Sequence, residues 1–184
     1  AKEKDGLKEV ELLKKIKESL EKNIPIRRLD FNEDELKILK PFNFLTLKPI
    51  IYMANVSDED LLSDNIDNVN KVIEYASKEN AKVIKVCAKI EEELCDLENE
   101  EKTIFLNDLG IEESGLDQLI KATYSLLGLQ TFFTSGTDEV RAWTFIKGMK
   151  APQCAGIIHT DFERGFIRAE VTSFEDLEKY GDEK

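Results

Sequence analysis

The stretch Pro49-Ile50-Ile51-Tyr52-Met53-Ala54-Asn55, with Lys82-Val83-Ile84-Lys85-Val86-Cys87 downstream of it, decides the fold. The first stretch is a short apolar run without alternation, the pattern of a parallel strand that is covered on both faces. Between the two stretches, residues 66–79 repeat apolar side chains at helical spacing. Strand, helix and strand of these lengths predict a βαβ unit, so the expected fold class is α/β with a parallel sheet.

Upstream of this unit, residues 7–22 predict a helix with one narrow apolar stripe. The stripe consists of Leu7, Val10, Leu13, Ile16 and Leu20. Two interpretations remain open, a two-helix arm or a surface helix that lies on its own domain. Asn32 and Glu35 have the spacing of a capping box, which predicts a second, short helix before Pro41.

Downstream, residues 99–109 and 115–128 predict two more helices, and the pattern then changes to a small α+β unit. Residues 131–134 and 140–145 are β-branched and aromatic, with Gly136-Thr137-Asp138 between them, which predicts a β-hairpin. Pro152 can open a short helix. Ile167 to Val171 alternate like a half-buried strand, and Ser173 can cap a last helix.

Charge is distributed unevenly over the 184 residues, whose formal net charge is −12. Residues 1–29 carry a balance of +3, residues 30–128 of −12 and residues 129–184 of −3. The acidic middle argues against nonspecific coating of nucleic acid. The basic first segment is the part that fits a phosphate-rich partner without special arrangement.

Cysteine and histidine usage limits the chemistry. The three cysteines form no Cys-x-x-Cys pair, which predicts a reduced, cytosolic protein. His159 is the single histidine, so we expect no histidine-based metal site. No apolar stretch is long enough for a membrane helix, and we expect no membrane partner.

Polar residues follow both predicted strands of the βαβ unit. Asn55-Val56-Ser57-Asp58 contains an amide and a carboxylate, which together can recognise the edge of a purine. Such residues in a loop are more often turn formers than ligands. Cys87-Ala88-Lys89 directly follows the second strand, and ligands of open α/β sheets bind at the carboxyl ends of strands. The two loops together are more informative than either alone.

The order of strand, Asn-x-x-Asp, helix, strand and Cys-Ala-Lys resembles the fourth and fifth nucleotide motifs of the GTPase superclass. The wider sequence resembles the YchF-type (Obg-like) ATPases over essentially the whole chain. The runs that carry the resemblance are KPIIYMANV at 48–56, AKIEEEL at 88–94, FFTSG at 132–136, DEVRAWT at 138–144, KAPQ at 150–153 and IHTDFERGFI at 158–167.

The resemblance implies a fragment with three parts. Residues 1–40 are expected to be the remnant of a helical or coiled-coil arm with its connector. Residues 41–128 are expected to be the C-terminal part of a P-loop GTPase-like nucleotide-binding domain. Residues 129–184 are expected to form an incomplete TGS domain, an α+β module of the ubiquitin-like β-grasp kind.

The resemblance also implies a set of base-binding residues. The set is Asn55, Val56, Asp58, Cys87, Ala88 and Lys89. Asn55 would hydrogen-bond the purine, and Ala88 would donate its backbone N–H to the base with Lys89 beside it. Val56 replaces the lysine of the GTPase motif, and Cys87 replaces its serine. Asp58 stands where the family usually has Glu, which leaves the choice between ATP and GTP open.

None of the nine glycines is followed by Lys and then Ser or Thr, so the 184 residues contain no phosphate-binding loop. The resemblance therefore implies a parent protein that hydrolyses ATP or GTP with magnesium, and a fragment that is itself inactive and has no catalytic residue. It also implies a ribosomal or ribosomal-RNA partner, with Arg141, Lys147 and Lys150 as candidate contacts. The alternative is a non-enzymatic RNA-binding or ribosome-binding module built from the TGS part and the basic arm.

Overall fold

The computed structural model describes residues 2–63, 65–136 and 139–181, and the chain divides into two compact units at residues 123 and 124. The helices are α1 (Lys2–Glu21), α2 (Glu33–Leu39), α3 (Asp58–Leu61), α4 (Asp67–Ser77), α5 (Ala88–Cys95), α6 (Asn99–Asp108), α7 (Gly115–Leu126), α8 (Ala151–Ile158), α9 (Thr160–Arg164) and α10 (Phe174–Tyr180). The strands are β1 (Ile51–Asn55), β2 (Lys82–Val86), β3 (Leu129–Ser135) and β4 (Val140–Ile146). Within the described ranges, no helix is long and apolar enough to span a membrane.

The first unit contains the predicted βαβ arrangement. β1 and β2 pair in parallel, with Ile51 opposite Lys82 and Asn55 opposite Val86. The connecting helix α4 packs against both strands. Ile84, Val86 and Ala122 form a buried cluster on which Ile51 and Leu119 pack, so α7 covers the sheet. The α/β fold class of this unit is confirmed, and its assignment to a P-loop GTPase-like domain stays a prediction.

The N-terminal helix α1 packs by a face that includes Ile16 of the predicted stripe but is otherwise shifted from it. Leu12 and Ile16 are buried, and they form a cluster with Ile26 and Leu39. Leu7, Val10 and Leu20 of the predicted stripe are exposed instead. The buried positions lie four residues apart on one face, and the partner is the segment that contains α2. Residues 6–11 are exposed throughout, whereas the second half of the helix lies on its own unit.

The predicted capping box of α2 is present in full. The Asn32 side chain accepts hydrogen bonds from the N–H groups of Asp34 and Glu35, and the Glu35 carboxylate accepts from the Asn32 N–H at 2.8 Å. Three N–H groups that the start of a helix leaves without intrahelical partners are thereby satisfied. This local sequence signal therefore fixes where α2 begins.

A buried charge cluster joins the N-terminal segment to the βαβ unit. The Glu79 side chain is 0% exposed and lies 2.8 Å from Arg27 Nε and 3.2 Å from Arg28 Nη2. Tyr52 of β1 donates its hydroxyl proton to Glu79 at 3.0 Å. Burial raises the pKa of Glu79, but hydrogen bonds from Arg27 and Tyr52 and the two arginine charges outweigh it and hold the pKa below its ordinary value.

The second unit begins with the predicted hairpin. β3 and β4 pair antiparallel, with Phe132 opposite Trp143. The predicted turn residues Thr137 and Asp138 lie outside the described residues. α8 begins at Ala151 with Pro152 as its second residue, and it packs against β4. The hairpin and helix follow the expected α+β order, while the assignment of residues 129–184 to a TGS domain stays a prediction.

The strand predicted from Ile167 to Val171 is wrong for this structure. The segment has no regular secondary structure, and Ile167 and Val171 are 91% and 88% exposed. An alternating pattern forms a strand only when a neighbouring strand pairs with its backbone. The one sheet that the structure describes in this unit consists of β3 and β4, so no third strand pairs with the segment there.

Candidate nucleotide-base site

The ends of β1 and β2 meet at one edge of the parallel sheet, and the two candidate loops begin there. The backbone N–H of Val56, directly after β1, donates to the carbonyl oxygen of Val86 at 2.9 Å. β2 ends at Val86, so Cys87-Ala88-Lys89 starts beside the end of β1. The prediction that the two loops are neighbours is confirmed.

A side-chain hydrogen bond joins the two loops. The Oδ1 atom of Asn55 accepts from the backbone N–H of Ala88 at 3.0 Å, and both residues are exposed. An amide side chain has a separate donor group, so the Nδ2 atom of Asn55 keeps its two N–H groups for an acceptor on a ligand. The Ala88 N–H, which the resemblance directs to the base, is donated to Asn55 in this structure. A base that accepts from this N–H must either share it with the Asn55 Oδ1 atom or displace that atom.

Asp58 and Lys89 form an ion pair across the same two loops. Their Oδ2 and Nζ atoms are 2.9 Å apart, and both side chains are largely exposed. The hydrogen bond from Lys89 and the one from the Glu59 backbone N–H lower the pKa of the Asp58 carboxyl. Asp58 is also the first residue of α3, where a negative charge is favoured by the helix dipole. The carboxylate is therefore held ionised as a pure hydrogen-bond acceptor.

Val56 and Cys87 contribute differently from the exposed members of the predicted set. Cys87 is 3% exposed and packs with Ile90 and Leu94 in a buried cluster. Its thiol lies in the core, so only its backbone borders the loop. Val56 is half-buried and is held by its backbone hydrogen bond to β2. Val56 and Cys87 therefore hold the backbone of the two loops in place against the sheet and the core.

Two residues that the sequence analysis did not single out support the second loop. The Glu91 carboxylate accepts hydrogen bonds from the backbone N–H groups of Gly115 at 2.7 Å and Leu116 at 3.3 Å. Glu91 lies in the first turn of α5, three residues after Ala88. The contact spans 24 residues of sequence, so no local pattern predicts it. The local sequence signal that could have drawn attention to this contact is Gly115, a glycine that opens α7 directly after the capping Ser114.

The candidate RNA contacts of the second unit do not form one cluster. Arg141 lies near the start of β4 with its guanidinium 4.3 Å from the centre of the Trp143 ring. Lys147 follows the other end of the strand, and Lys150 precedes α8. At about 3.3 Å per residue, Arg141 and Lys147 are about 20 Å apart along the strand. The structure thus pairs Arg141 with an aromatic ring and leaves the two lysines separate from it.

The aromatic side chains of the hairpin are divided between its two faces. Trp143 and Phe132 are half-buried on one face, and Trp143 donates its indole N–H to Thr134 Oγ1 at 2.9 Å. Phe133 points to the other face and is 67% exposed. The three rings therefore cannot form a single stacking surface.

Several known proteins are similar in sequence to this chain. The family model described as "YchF-GTPase_C: Protein of unknown function (DUF933)" matches residues 129–184. A protein named "Ribosome-binding ATPase YchF" from Bacillus subtilis (strain 168) is 60% identical over 177 residues, which cover 96% of this chain and 48% of that protein. The protein of the same name from Escherichia coli O157:H7 is 45% identical over 182 residues, 99% of this chain and 50% of its own length.

A solved structure is also similar to this chain. The "Structure of the Schizosaccharomyces pombe YchF GTPase" matches with a TM-score of 0.79 and 35% sequence identity, over 93% of this chain and 46% of that one. The chain thus spans about half the length of the curated relatives that it matches.

Proposed function

The chain belongs to the YchF family, and we propose that its first unit forms the base-recognition corner of a protein that hydrolyses ATP or GTP and associates with the ribosome. The relatives are named as a ribosome-binding ATPase and a GTPase, and this chain covers about half of each. The observation that carries the proposal is the 3.0 Å hydrogen bond between Asn55 and Ala88. This bond joins the loops after β1 and β2 into one site, the base-recognition corner.

Each residue at this corner has a proposed role. Asn55 donates from Nδ2 to an acceptor nitrogen of the purine, and the ionised Asp58 accepts from N–H groups on the base edge. Lys89 holds the Asp58 carboxylate in place through their 2.9 Å ion pair. Guanine offers two donors to one carboxylate, whereas adenine offers a donor beside an acceptor. Asp58 alone therefore fits guanine.

The phosphate end of the nucleotide is assigned to residues outside this chain. The 184 residues contain no G-x-x-x-x-G-K-[ST] sequence. That loop cradles the phosphates, and its Ser or Thr hydroxyl binds magnesium in P-loop proteins. We therefore assign no catalytic residue here, and we propose that these residues alone do not hydrolyse nucleotide. Magnesium and the terminal phosphates would be held by the rest of the parent protein.

The direct test is the substitution Asn55→Ala in the full-length protein. Removing the amide removes a donor to the base and the partner of the Ala88 N–H, so nucleotide binding should weaken by about 1–3 kcal/mol. Titration calorimetry with ATP and with GTP measures the effect. Asn107→Ala, on the exposed surface of α6, is the matched control and should leave the affinity unchanged. Unchanged affinity for Asn55→Ala would contradict the base-reading role.

A second candidate function is RNA or ribosome binding by residues 129–184 together with the basic arm. The observation in its favour is the exposed Arg141 stacked on Trp143, a cation–aromatic pair of the kind that contacts unpaired bases. Ribosome co-sedimentation at two salt concentrations tests it. Arg141→Ala should reduce pelleting, whereas Arg168→Ala, also exposed and paired with Glu170 at 3.1 Å, should not. Absence of pelleting at low salt would remove this candidate.

The ribosome as partner also gives the proposed location, which is the cytoplasm. This proposal draws on the names of the relatives, since ribosome binding is what those names state.

A further inference from the structure

Three of the free N–H groups at the start of α7 are satisfied by side chains, from two different sources. A helix leaves its first four N–H groups without intrahelical partners. Ser114 supplies the acceptor for one of them, since its Oγ accepts from Asp117 N–H at 3.1 Å, while its carbonyl oxygen accepts the first ordinary helical hydrogen bond, from Gln118 N–H at 3.1 Å. This part is an ordinary local cap.

Two more of these N–H groups are satisfied from a different helix. Gly115 and Leu116 donate to the Glu91 carboxylate, at 2.7 Å and 3.3 Å. Glu91 is in the first turn of α5, which starts at Ala88. A carboxylate at a helix N-terminus is also favoured by the helix dipole. The contact therefore fixes the beginning of α5 against the beginning of α7.

Gly115 is required for this contact because no side chain fits at its position. A Cβ atom there would lie 2.7 Å from Val86 Cγ1 and 2.9 Å from Glu91 Oε1. Val86 is the last residue of β2, and its carbonyl oxygen accepts the N–H of Val56 next to Asn55. Gly115 therefore packs closely against the end of β2 as well as against the Glu91 carboxylate.

We infer that Glu91 is a positioning residue for the purine, and that the lack of a side chain at Gly115 makes room for the Glu91 carboxylate. Glu91 anchors the loop Cys87-Ala88-Lys89 from behind, so the Ala88 N–H and the Lys89 ammonium keep their distances to Asn55 and Asp58. The inference rests on the proposed function, because it assigns a supporting residue to the same site. Glu91 itself does not touch the nucleotide.

The test compares a ligand that has a base with one that has none. In the full-length protein, Glu91→Gln keeps one acceptor oxygen and places an N–H₂ group opposite a backbone N–H, so the anchor is weakened. The matched control is Glu92→Gln, since Glu92 is the exposed neighbour on α5. The probes are ATP, GTP and inorganic tripolyphosphate with magnesium. Binding is measured by calorimetry at a temperature where circular dichroism shows each variant folded.

Glu91→Gln should weaken binding of the preferred nucleotide about three- to tenfold, as expected for the loss of one or two hydrogen bonds. Binding of tripolyphosphate should not change, because that ligand does not reach the base corner. Glu91→Asp, which keeps the charge on a shorter side chain, should lose less, and it replaces Glu91→Gln if that variant does not fold.

The outcomes separate the inference from the proposed function. Equal weakening for nucleotide and tripolyphosphate would show a general structural role and overturn the inference. Unchanged nucleotide binding in both Glu91 variants would overturn it as well, while the proposed function would stand. If the unsubstituted protein bound tripolyphosphate and nucleotide equally well, the base corner itself would be refuted.

Discussion

The two units of the chain differ in how their polar and apolar groups are satisfied. In the first unit, a buried core lies beneath the two loops, and the loops bond to each other through Asn55, Ala88, Asp58 and Lys89. In the second, none of the described residues is buried. Both units expose large apolar side chains, and those of the second are Tyr124, Leu127, Phe133, Val140, Ile146, Phe162, Ile167, Val171, Phe174, Leu177 and Tyr180. A precise site therefore needs a core beneath it, whereas a hairpin can form from local pattern alone.

The largest effect should come from removing the buried carboxylate of the first unit. Glu79→Ala leaves Arg27 and Arg28 without their partner in a site where the carboxylate is 0% exposed. Breaking a buried ion pair in this way costs about 3–5 kcal/mol. Urea denaturation followed by circular dichroism measures the loss of stability. Glu74→Ala, whose side chain is 76% exposed beside Lys78, should change little. Equal effects in the two variants would contradict a stabilising role for the buried carboxylate.

A second effect should separate the apolar residues of the two units. Leu39→Ala removes a side chain that is 0% exposed and should cost about 2–5 kcal/mol. Ile167→Ala removes one that is 91% exposed and should stay within about 0.5 kcal/mol. The same denaturation experiment measures both. A large loss for Ile167→Ala would show that this segment packs in solution, and the contrast between the units would then be wrong.

The smallest effect concerns the acid limb of stability. The pKa of Glu79 in the folded chain lies below its ordinary value of about 4.3, so folding favours the ionised carboxylate. Glu79 therefore contributes stability above about pH 4.3, and that contribution is lost as the pH falls through the folded pKa. Stability should fall more steeply on acidification in the unsubstituted chain than in Glu79→Gln. Parallel curves between about pH 5 and pH 3 would contradict this assignment.

Sequence could predict the features that are encoded locally. The strand ends at Asn55 and Val86, the capping box at Asn32 and the hairpin all follow from residues close together in the chain. It could not predict the Glu91 contact to Gly115 or the Glu79 cluster, because their partners lie 24 and 52 residues away. It also misjudged part of the face of α1, where Ile16 is buried as predicted, but Leu12 and Leu13 are adjacent and only packing decides between them.

The segment from Ile167 to Val171 shows a different limit. Its alternation satisfies the local requirement for a strand, but the hydrogen bonds of a strand come from another chain segment. A period of two in the sequence is therefore a condition for pairing and does not supply the partner. Within the described residues no strand pairs with this segment, and its apolar side chains are exposed.

The most direct test of the central claim is a crystal structure of the full-length protein with a bound non-hydrolysable ATP or GTP analogue. We expect the purine to lie between the ends of β1 and β2, with Asn55 Nδ2 within about 3.2 Å of a ring acceptor. We also expect the Asp58 carboxylate to face the base edge. A base bound away from both loops, with Asn55 still bonded only to Ala88, would refute the base-recognition role of this edge of the sheet.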